Sequence, residues 1–447
     1  MSKKGLLSRL TRYRSAMIGL VILSFLLAIS LYAVISMPYG EAVRRWRGSE
    51  QTWRYNPRNA APAWIDMFTP KRLPHTLILD TEQAEREEEK IGKVTRRLTY
   101  RFFVKYTADL LPSELAIVFL PRFEKKPPLV EITWITPDGR EFKFGRQILK
   151  RGSSGKEHWY AVSQDTKLAN SLGGDPQEVF FADPKKPGVP LKGVHKIVIQ
   201  GLVFEPDAEL GVRIVVYGTV HGLAGTDHLR RDITIALLWG TPVALAFGLA
   251  ASLGISLTSV IAAALGAWFG GLIDALIQRL TEIRMVLPTL PVLIMVGLFY
   301  SKSLWMILAV LLILNIIESS VKTYRAMFLQ EARAPYIEAA RSYGAGHLRI
   351  VFRYLIPRII PWLIPGFVLA VPSYVFLEAS LAVLGLGDPV LPTWGKLLSD
   401  AYSQGALYHG YYYWVLEPAF FLMLTGFGFT LIGYTLDKIF NPRLREI

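Results

Sequence analysis

The feature that most constrains this chain is a set of apolar runs long enough to cross a lipid bilayer. Residues 16–37 carry no charged side chain. A helix of this length, rising about 1.5 Å per residue, spans the roughly 30 Å hydrocarbon core. A secretory signal peptide is the alternative, but the run is too long for its apolar region and Met37-Pro38-Tyr39 is a poor cleavage site. We therefore expect a retained membrane helix.

Five further apolar runs lie in the second half of the chain. They cover residues 233–271, 286–300, 304–317, 359–386 and 414–436. The run 233–271 is too long for one upright span, so it is either one tilted helix or a broken pair. Backbone polar groups in lipid must be satisfied within helices or closed barrels. The sequence therefore predicts an α-helical polytopic membrane protein with about six transmembrane helices.

Basic residues predict the orientation of these spans. With six spans the two termini share a side, and 17 Lys and Arg residues fall on that side, whereas the short loops on the other side hold only Lys302 and Lys396. Because cytoplasmic loops carry the excess of Lys and Arg, we expect a multi-pass protein of the cell (inner) membrane with both termini cytoplasmic. This topology explains much of the net charge of +14 and disfavours a nucleic-acid partner.

We divide the chain into a first segment, 1–37, an extracytoplasmic domain, 38–231, and a membrane core, 232–447. The middle domain reads as mainly β, because residues 129–136 and 140–144 flank an Asp138-Gly139 turn. Further strands are expected at 98–106, 115–120, 194–204 and 210–217. The sequence predicts a small sandwich or barrel.

The acidic run at 82–90 is interpreted as a solvated helix or loop rather than a cation site. The 38–231 domain has no metal-ligand spacing, no nucleophile elbow and no glycine-rich phosphate loop, so its role is not legible from sequence.

The cytoplasmic loop at about 323–358 carries the sharpest signal. It reads as a short amphipathic helix, a glycine break at Gly344, and a basic helix that ends at Pro357. Ala339 and Ala340 are small, so another surface can approach the backbone closely. Such a knob suits a socket on a soluble partner, and the alternative is an ordinary juxtamembrane loop.

This segment resembles the EAA loop of ABC importer permeases, whose pattern is Glu-Ala-Ala, three residues, Gly, nine residues, then Ile-x-Leu-Pro. Glu338, Gly344 and Pro357 match at the right spacing, with Tyr354 and Ile356 at the Ile and Leu positions. The resemblance implies a coupling helix that docks into an ATP-binding subunit. It implies coupling roles for six residues: Tyr336, Glu338, Ala339, Ala340, Arg341 and Gly344.

Other segments resemble one branch of that family, the oligopeptide/dipeptide/nickel (DppC/OppC-like) binding-protein-dependent transport inner-membrane components. They are Gly225–Asp232, similar to GTDxxGRD except at Arg230; Gly270-Gly271 with Asp274; Leu287–Leu290; 384–398; and 436–443. These pieces follow the family's order and cover 220–447 well, while 38–220 lies outside the resemblance. It implies a type I ABC importer permease fold with a large β insertion between helices 1 and 2.

The resemblance implies a permease that forms half of a translocation pathway, most simply for peptides. The implied partners are a homologous permease, two ATPase subunits and an extracytoplasmic solute-binding protein. The chain has no Walker A motif, so we expect a non-catalytic subunit without its own cofactor or metal, with ATP and Mg²⁺ held by its partners. Glu378 is the candidate pathway residue, and a helix–helix hydrogen bond is its alternative role. Glu318, near the cytoplasmic end of its span, is expected to reach water or to pair with Lys322, one turn away.

Two other functions and one change of cargo stay open. The same machinery could carry oligosaccharides or nickel chelates. A different class is a membrane-anchored receptor whose β domain binds a ligand, although six spans exceed what an anchor needs. An intramembrane enzyme is less favoured, because no His–carboxylate or Ser–His pair is evident at membrane depth.

Overall fold

The computed structural model describes residues 12–48, 51–92, 94–149 and 154–440. The chain forms two compact units: Gly48–Thr234 is the β unit, and the residues up to Arg47 together with those from Ile235 onward form the membrane unit. The basic residues Lys3, Lys4 and Arg9, and the Asn441-Pro442-Arg443 ending, lie outside the described residues.

The membrane unit is helical. Its helices are α1 (Arg14–Ser36), α2 (Tyr39–Trp46), α5 (Ile233–Phe269), α6 (Gly271–Val286), α7 (Thr289–Phe299), α8 (Leu304–Leu314), α9 (Ser320–Glu331), α10 (Pro335–Ser342), α11 (His347–Ile350), α12 (Ile356–Leu381), α13 (Trp394–Ser403) and α14 (Tyr413–Phe440). Turns of π-helix, Val351–Leu355 and Ala382–Leu386, join α11 to α12 and extend α12. The expectation that the basic helix ends at Pro357 is wrong, because His347–Leu386 is continuous. Pro357 lies in the first turn of α12, where its missing N–H costs no α-helical hydrogen bond. Within the described part of the chain, four continuous helices are long and apolar enough to cross a membrane: α1, α5, His347–Leu386 and α14.

The two middle runs form shorter helices than the sequence suggests. Helices α7 and α8 have 11 residues each, about 16 Å of rise, which is less than the bilayer core. Helix α6 continues into α7 through a 76° bend, and the pair together is apolar enough for one span. The bend lies at Leu287-Pro288, where Leu287 is extended because it precedes proline. Hydropathy measures composition and does not register this change of direction.

Helix α5 is one continuous helix of 37 residues, so the single-helix alternative for 233–271 is confirmed. Gly240 lies in it where the Trp394 ring packs, since a Cβ there would come within 2.4 Å of that ring. The Trp394 Nε1–H donates to the Leu237 carbonyl at 3.0 Å. The helix ends at Gly270 and Gly271, whose φ angles of 61° and 52° favour glycine.

The β unit is a sandwich of two antiparallel sheets. Its strands are β1 (Leu77–Asp80), β2 (Glu85–Lys90), β3 (Arg96–Tyr106), β4 (Glu114–Arg122), β5 (Leu129–Ile135), β6 (Glu141–Lys143), β7 (Gln147–Ile148), β8 (His158–Ala161), β9 (Ala182–Asp183), β10 (Lys186–Pro190), β11 (Gly193–Val203) and β12 (Glu209–Tyr217), with helices α3 (Thr166–Leu172) and α4 (Pro176–Phe181) between β8 and β9. The sheets have the orders β1-β12-β4-β8 and β2-β3-β11-β5-β6, and β9 pairs with β10.

One apolar core fills the space between the two sheets. Phe102, Trp134 and Ile199 come from the longer sheet, and Phe119 and Ile214 from the shorter one. The predicted hairpin is confirmed, because Ile135 pairs with Glu141 across the turn and Gly139 takes a φ of 86°. The predicted strands at 98–106, 115–120, 194–204 and 210–217 are also confirmed as β3, β4, β11 and β12.

The interpretation of 82–90 as a solvated helix or loop is wrong for most of its length. After one 3₁₀ turn, residues 85–90 form the exposed edge strand β2, which pairs with β3. Glu87, Glu88 and Glu89 form ion pairs with Arg101, Arg96 and Arg97 respectively. Cross-strand charge pairing offsets the low strand propensity of glutamate, and a charged edge resists pairing with other chains.

Candidate coupling site

Helix α10 is anchored on its own chain by an apolar face. Pro335 occupies the first turn, where its missing N–H costs no helical hydrogen bond. Ile337 is fully buried and packs in a cluster with Val321 and Phe328 of α9 and Ile359 of α12. Ala340, one turn later, is 8% exposed. The helix is therefore seated as a rigid knob on the membrane unit.

The six predicted coupling residues divide between two environments. Tyr336, Glu338, Ala339, Arg341 and Gly344 are exposed, whereas Ala340 faces the chain's own core. The small side chain of Ala339 therefore lies on the exposed face of α10, whereas the small side chain of Ala340 lets α10 pack on the rest of the chain. Whether these residues transmit a signal stays a prediction.

Gly344 closes the helix with a left-handed turn at φ 76°. The Ala345 N–H donates to the Ala340 carbonyl at 3.0 Å, and the Gly344 N–H donates to the Arg341 carbonyl at 2.9 Å. This pair of bonds is the Schellman motif, which satisfies the last carbonyls of a helix and favours glycine at this position. A Cβ on Gly344 would meet nothing within 4 Å, so the requirement for glycine is conformational and not steric crowding.

Polar contacts fix both ends of the knob. The Arg341 guanidinium lies 4.4 Å from the ring centre of Trp268, at the end of α5. At the other end, the Tyr336 hydroxyl donates to Glu331 Oε2 at 2.9 Å. Burial and the neighbouring Glu331 carboxylate raise the pKa of Tyr336 to about 12. Cation–π stacking and a charge-assisted hydrogen bond thus tie α10 to α5 and α9.

A further ion pair joins two of the segments that share the family's order. The Arg325 guanidinium of α9 contacts both carboxylate oxygens of Asp274, and the Nε–Oδ1 distance is 2.5 Å. Asp274 follows the Gly270-Gly271 turn, so the motif positions a carboxylate under the loop that carries α10. Hydrogen bonding to Asp274 raises the pKa of Arg325.

Two residues outside the six coupling residues have notable positions. Tyr343 is 92% exposed and follows α10 immediately before the glycine turn. An aromatic residue next to a helix-ending glycine is a signal that can be read from the sequence.

Arg284 donates to the Leu287 carbonyl at 2.8 Å, to Thr289 Oγ1 at 2.5 Å and to Asn315 Oδ1 at 2.6 Å. It therefore ties the α6–α7 bend to the end of α8, a long-range role that sequence does not reveal.

The acidic residues expected at membrane depth take different partners. Glu378 is 5% exposed and its Oε1 accepts from Thr393 Oγ1 at 3.0 Å. This is the hydrogen-bonded alternative, and its role in a pathway stays a prediction. Of the two alternatives for Glu318, pairing with Lys322 is wrong: Lys322 Nζ lies 3.5 Å from Glu282, and Glu318 accepts from the Ser320 hydroxyl. Its side chain is only half-buried.

In the β unit, the turn before α5 holds an arginine in a left-handed conformation. Arg230 stands where glycine is usual, and its φ of 65° is the left-handed conformation that glycine would take. Its guanidinium contacts Glu114 and stacks 4.5 Å from the Tyr217 ring centre. These buried contacts offset the backbone strain, which costs about 1–3 kcal/mol.

The fold defines a helical polytopic membrane protein. Residues 254–446 match the family described as binding-protein-dependent transport system inner membrane component. The chain is 32% identical over 224 residues to the oligopeptide transport system permease protein OppC of Bacillus subtilis (strain 168), covering 50% of this chain and 72% of that protein. It is 30% identical over 223 residues to the dipeptide transport system permease protein DppC of the same organism, covering 50% of this chain and 69% of that protein. It is 30% identical over 222 residues to OppC of Escherichia coli (strain K12), covering 49% of this chain and 72% of that protein.

The chain therefore belongs to this family of binding-protein-dependent permeases. It is a non-catalytic permease subunit of an ABC importer, and ATP hydrolysis and substrate capture reside in partner subunits. The family match begins at residue 254, inside α5, so the β unit lies outside it.

Proposed function

We propose that this chain is the permease subunit of a peptide importer and forms half of the translocation pathway, with a second homologous permease supplying the other half. Relatives named for oligopeptide, dipeptide and glutathione transport support peptides as cargo. Oligosaccharide or nickel-chelate import is not favoured by these names, and a membrane-anchored receptor would have no use for the α10 knob.

The observation that carries the proposal is the geometry of α10. Its apolar face is buried on the membrane unit, its other face exposes Glu338, Ala339 and Tyr343, and Gly344 closes it. A rigid helix with a small residue and an exposed aromatic on its free face is suited to a socket. We infer that this face docks into one of two ATPase subunits, and that nucleotide-driven movement reaches the membrane helices through the Trp268–Arg341 and Asp274–Arg325 contacts.

The proposed orientation places both termini and α10 in the cytoplasm and the β unit outside. Two tryptophans of α5 support a bilayer position. Trp239 and Trp268 are 29 residues apart, about 44 Å along a helix, which matches the roughly 40–45 Å between the two interfacial regions where tryptophan concentrates. We also propose the six-span topology and type I importer fold, with α6–α7 and α8 completing the count.

Reconstitution of the assembled transporter with its solute-binding protein tests the function. We expect di- and oligopeptides to raise the ATPase rate and to be taken up in an ATP-dependent manner, whereas maltooligosaccharides and nickel chelates do neither. Stimulation by an oligosaccharide in the absence of peptide would contradict the cargo assignment. Failure of the ATPase subunits to co-purify with this chain would contradict the coupling role of α10.

A further inference from the structure

The β unit carries an exposed apolar cluster that the proposed function does not use. Met67, Phe68 and Leu223 are 78%, 80% and 74% exposed. The Trp64 Nε1–H donates to the Leu223 carbonyl at 2.9 Å, and the Trp64 and Phe68 ring centres are 6.1 Å apart. We call these four residues the apolar tip. Contiguous exposed apolar groups of this kind mark contact surfaces on soluble parts of proteins.

Charged residues lie close in sequence to the apolar tip. Asp66, in the same short 3₁₀ helix (Ala63–Phe68), accepts from the Leu73 N–H at 2.8 Å and lies 3.6 Å from His75. Its negative charge is thus engaged by the body of the β unit. Lys71 and Arg72 follow and are exposed. Shortly after Phe68 the chain therefore offers two exposed cations, and the nearby Asp109 carboxylate already accepts from the Arg72 N–H at 2.8 Å.

Backbone hydrogen bonds place the tip beside the start of a membrane helix. The Ile233 N–H, at the first residue of α5, donates to the Gly225 carbonyl at 3.1 Å, two residues after Leu223. The Ala63 N–H donates to the Gly222 carbonyl at 2.9 Å. Ile233 precedes Trp239 by six residues, about 9 Å along the helix. The tip is therefore tied, through residues of the β unit alone, to the segment from which α5 starts.

We propose that the apolar tip inserts into the interfacial region of the outer lipid leaflet, with Lys71 and Arg72 against anionic headgroups. Tryptophan and phenylalanine beside basic residues are the side chains that favour this layer. Lipid is the occupant, and not a soluble protein, because Gly222 and Gly225, on either side of Leu223, are hydrogen-bonded to the residue before Trp64 and to the first residue of α5. The proposal rests on the sidedness proposed above, and the two can fail separately.

The chain contains no cysteine, so single cysteines can carry an environment-sensitive NBD fluorophore. Met67→Cys and Phe68→Cys probe the tip. Ile148→Cys, 70% exposed, is the matched control. Ile148 pairs with Leu129, and Leu129 with Leu202 just before the turn into β12, whereas Leu223 follows the end of β12. The control and the tip therefore lie at opposite ends of the sandwich.

The assembled transporter is placed in nanodiscs of phosphatidylcholine and phosphatidylglycerol that contain a headgroup-nitroxide lipid. We expect labels at 67 and 68 to shift to shorter emission wavelength, to be quenched by the nitroxide lipid and to be protected from aqueous iodide. The label at 148 should behave oppositely. Adding Lys71→Gln and Arg72→Gln should reduce nitroxide quenching in these discs but not in discs of phosphatidylcholine alone.

Two results would overturn the proposal. Labels at the tip that iodide quenches freely would place the tip in water, and labels shielded from iodide but unquenched by the nitroxide would place it against protein. A membrane-impermeant maleimide applied to spheroplasts tests sidedness independently. If Ile148→Cys does not react, the proposed orientation fails; if it reacts and the tip is unquenched, only the lipid contact fails.

Discussion

At the scale of single residues, two turns of the chain require a left-handed backbone conformation, and different residue types supply it. Gly344 and Arg230 both adopt a positive φ, at 76° and 65°. The first position keeps the glycine that the left-handed region favours. The second pairs the strain with a buried guanidinium that contacts Glu114. A sequence reader can predict the turn at Gly344 from its place after an amphipathic helix, but cannot predict that an arginine would be held in the same conformation.

The Gly344 turn can be tested with a neighbouring glycine as control. Gly344→Val forces a branched residue into the left-handed region, which costs about 1–3 kcal/mol, and should loosen the end of α10. We expect transport and ATPase stimulation to fall severalfold while membrane insertion is unchanged. Gly346→Val, at φ −67° and equally open space, should retain activity. Equal activity of the two variants at equal expression would contradict the coupling role of this turn.

The Asp274–Arg325 pair provides a second residue-scale test. Asp274→Asn removes a charge-assisted, partly buried interaction and should lower the free energy of unfolding of the membrane unit by about 1–2 kcal/mol. Glu282→Gln is the matched control, because Glu282 is 46% exposed and pairs with two exposed cations, Arg279 and Lys322, whose side chains are 77% and 42% exposed. Each such pair contributes about 0–1 kcal/mol. Thermal melts of the purified transporter measure both. A larger loss for Glu282→Gln would show that burial is not what strengthens the pair.

At the scale of elements, hydropathy and residue patterning predicted the long helices and most strands, and they failed where the chain changes direction. The long helices α1, α5 and α14, and the strands β3, β5, β11 and β12, follow the predicted runs. The shortness of α7 and α8 was missed because it depends on where Pro288 turns the chain. The strand at Glu85–Lys90 was missed because its stability comes from arginines on β3, which local sequence does not reveal.

One guanidinium ties the bend between α6 and α7 to the end of α8. Arg284 bonds Leu287, Thr289 and Asn315, so Arg284→Gln should release the bend from the end of α8. We expect faster hydrogen exchange over residues 285–291 and reduced transport. Arg279→Gln, on the same helix and with its side chain 77% exposed, should change neither. Unchanged exchange in Arg284→Gln would show that Pro288 alone holds the bend.

At the scale of the whole molecule, a helical membrane unit and a β sandwich share one chain. We expect the stability of the sandwich to depend on pH through a buried histidine. His195 is fully buried. The Trp134 Nε1–H donates to His195 Nδ1 at 3.3 Å, so the neutral ring carries its proton on Nε2, 3.4 Å from the Leu191 carbonyl. A second proton on Nδ1 would oppose the indole N–H. Burial accordingly lowers the pKa of His195 to about 4.

The sign of the pH effect follows from that shift. The unfolded sandwich binds a proton at His195 near its ordinary pKa of 6.5, and the folded one does so only near 4. The stability that the neutral ring provides is complete above pH 6.5 and is lost as pH falls toward 4, by at most about 3 kcal/mol. His195→Gln keeps a neutral hydrogen-bonding group and should flatten this part of the pH profile. His75→Gln, whose side chain is 56% exposed, should leave it unchanged. Hydrogen exchange of β11 amides between pH 6.5 and 4, corrected for intrinsic rates, measures the difference, and parallel profiles for the wild type and His195→Gln would show that carboxylates alone set the acid sensitivity.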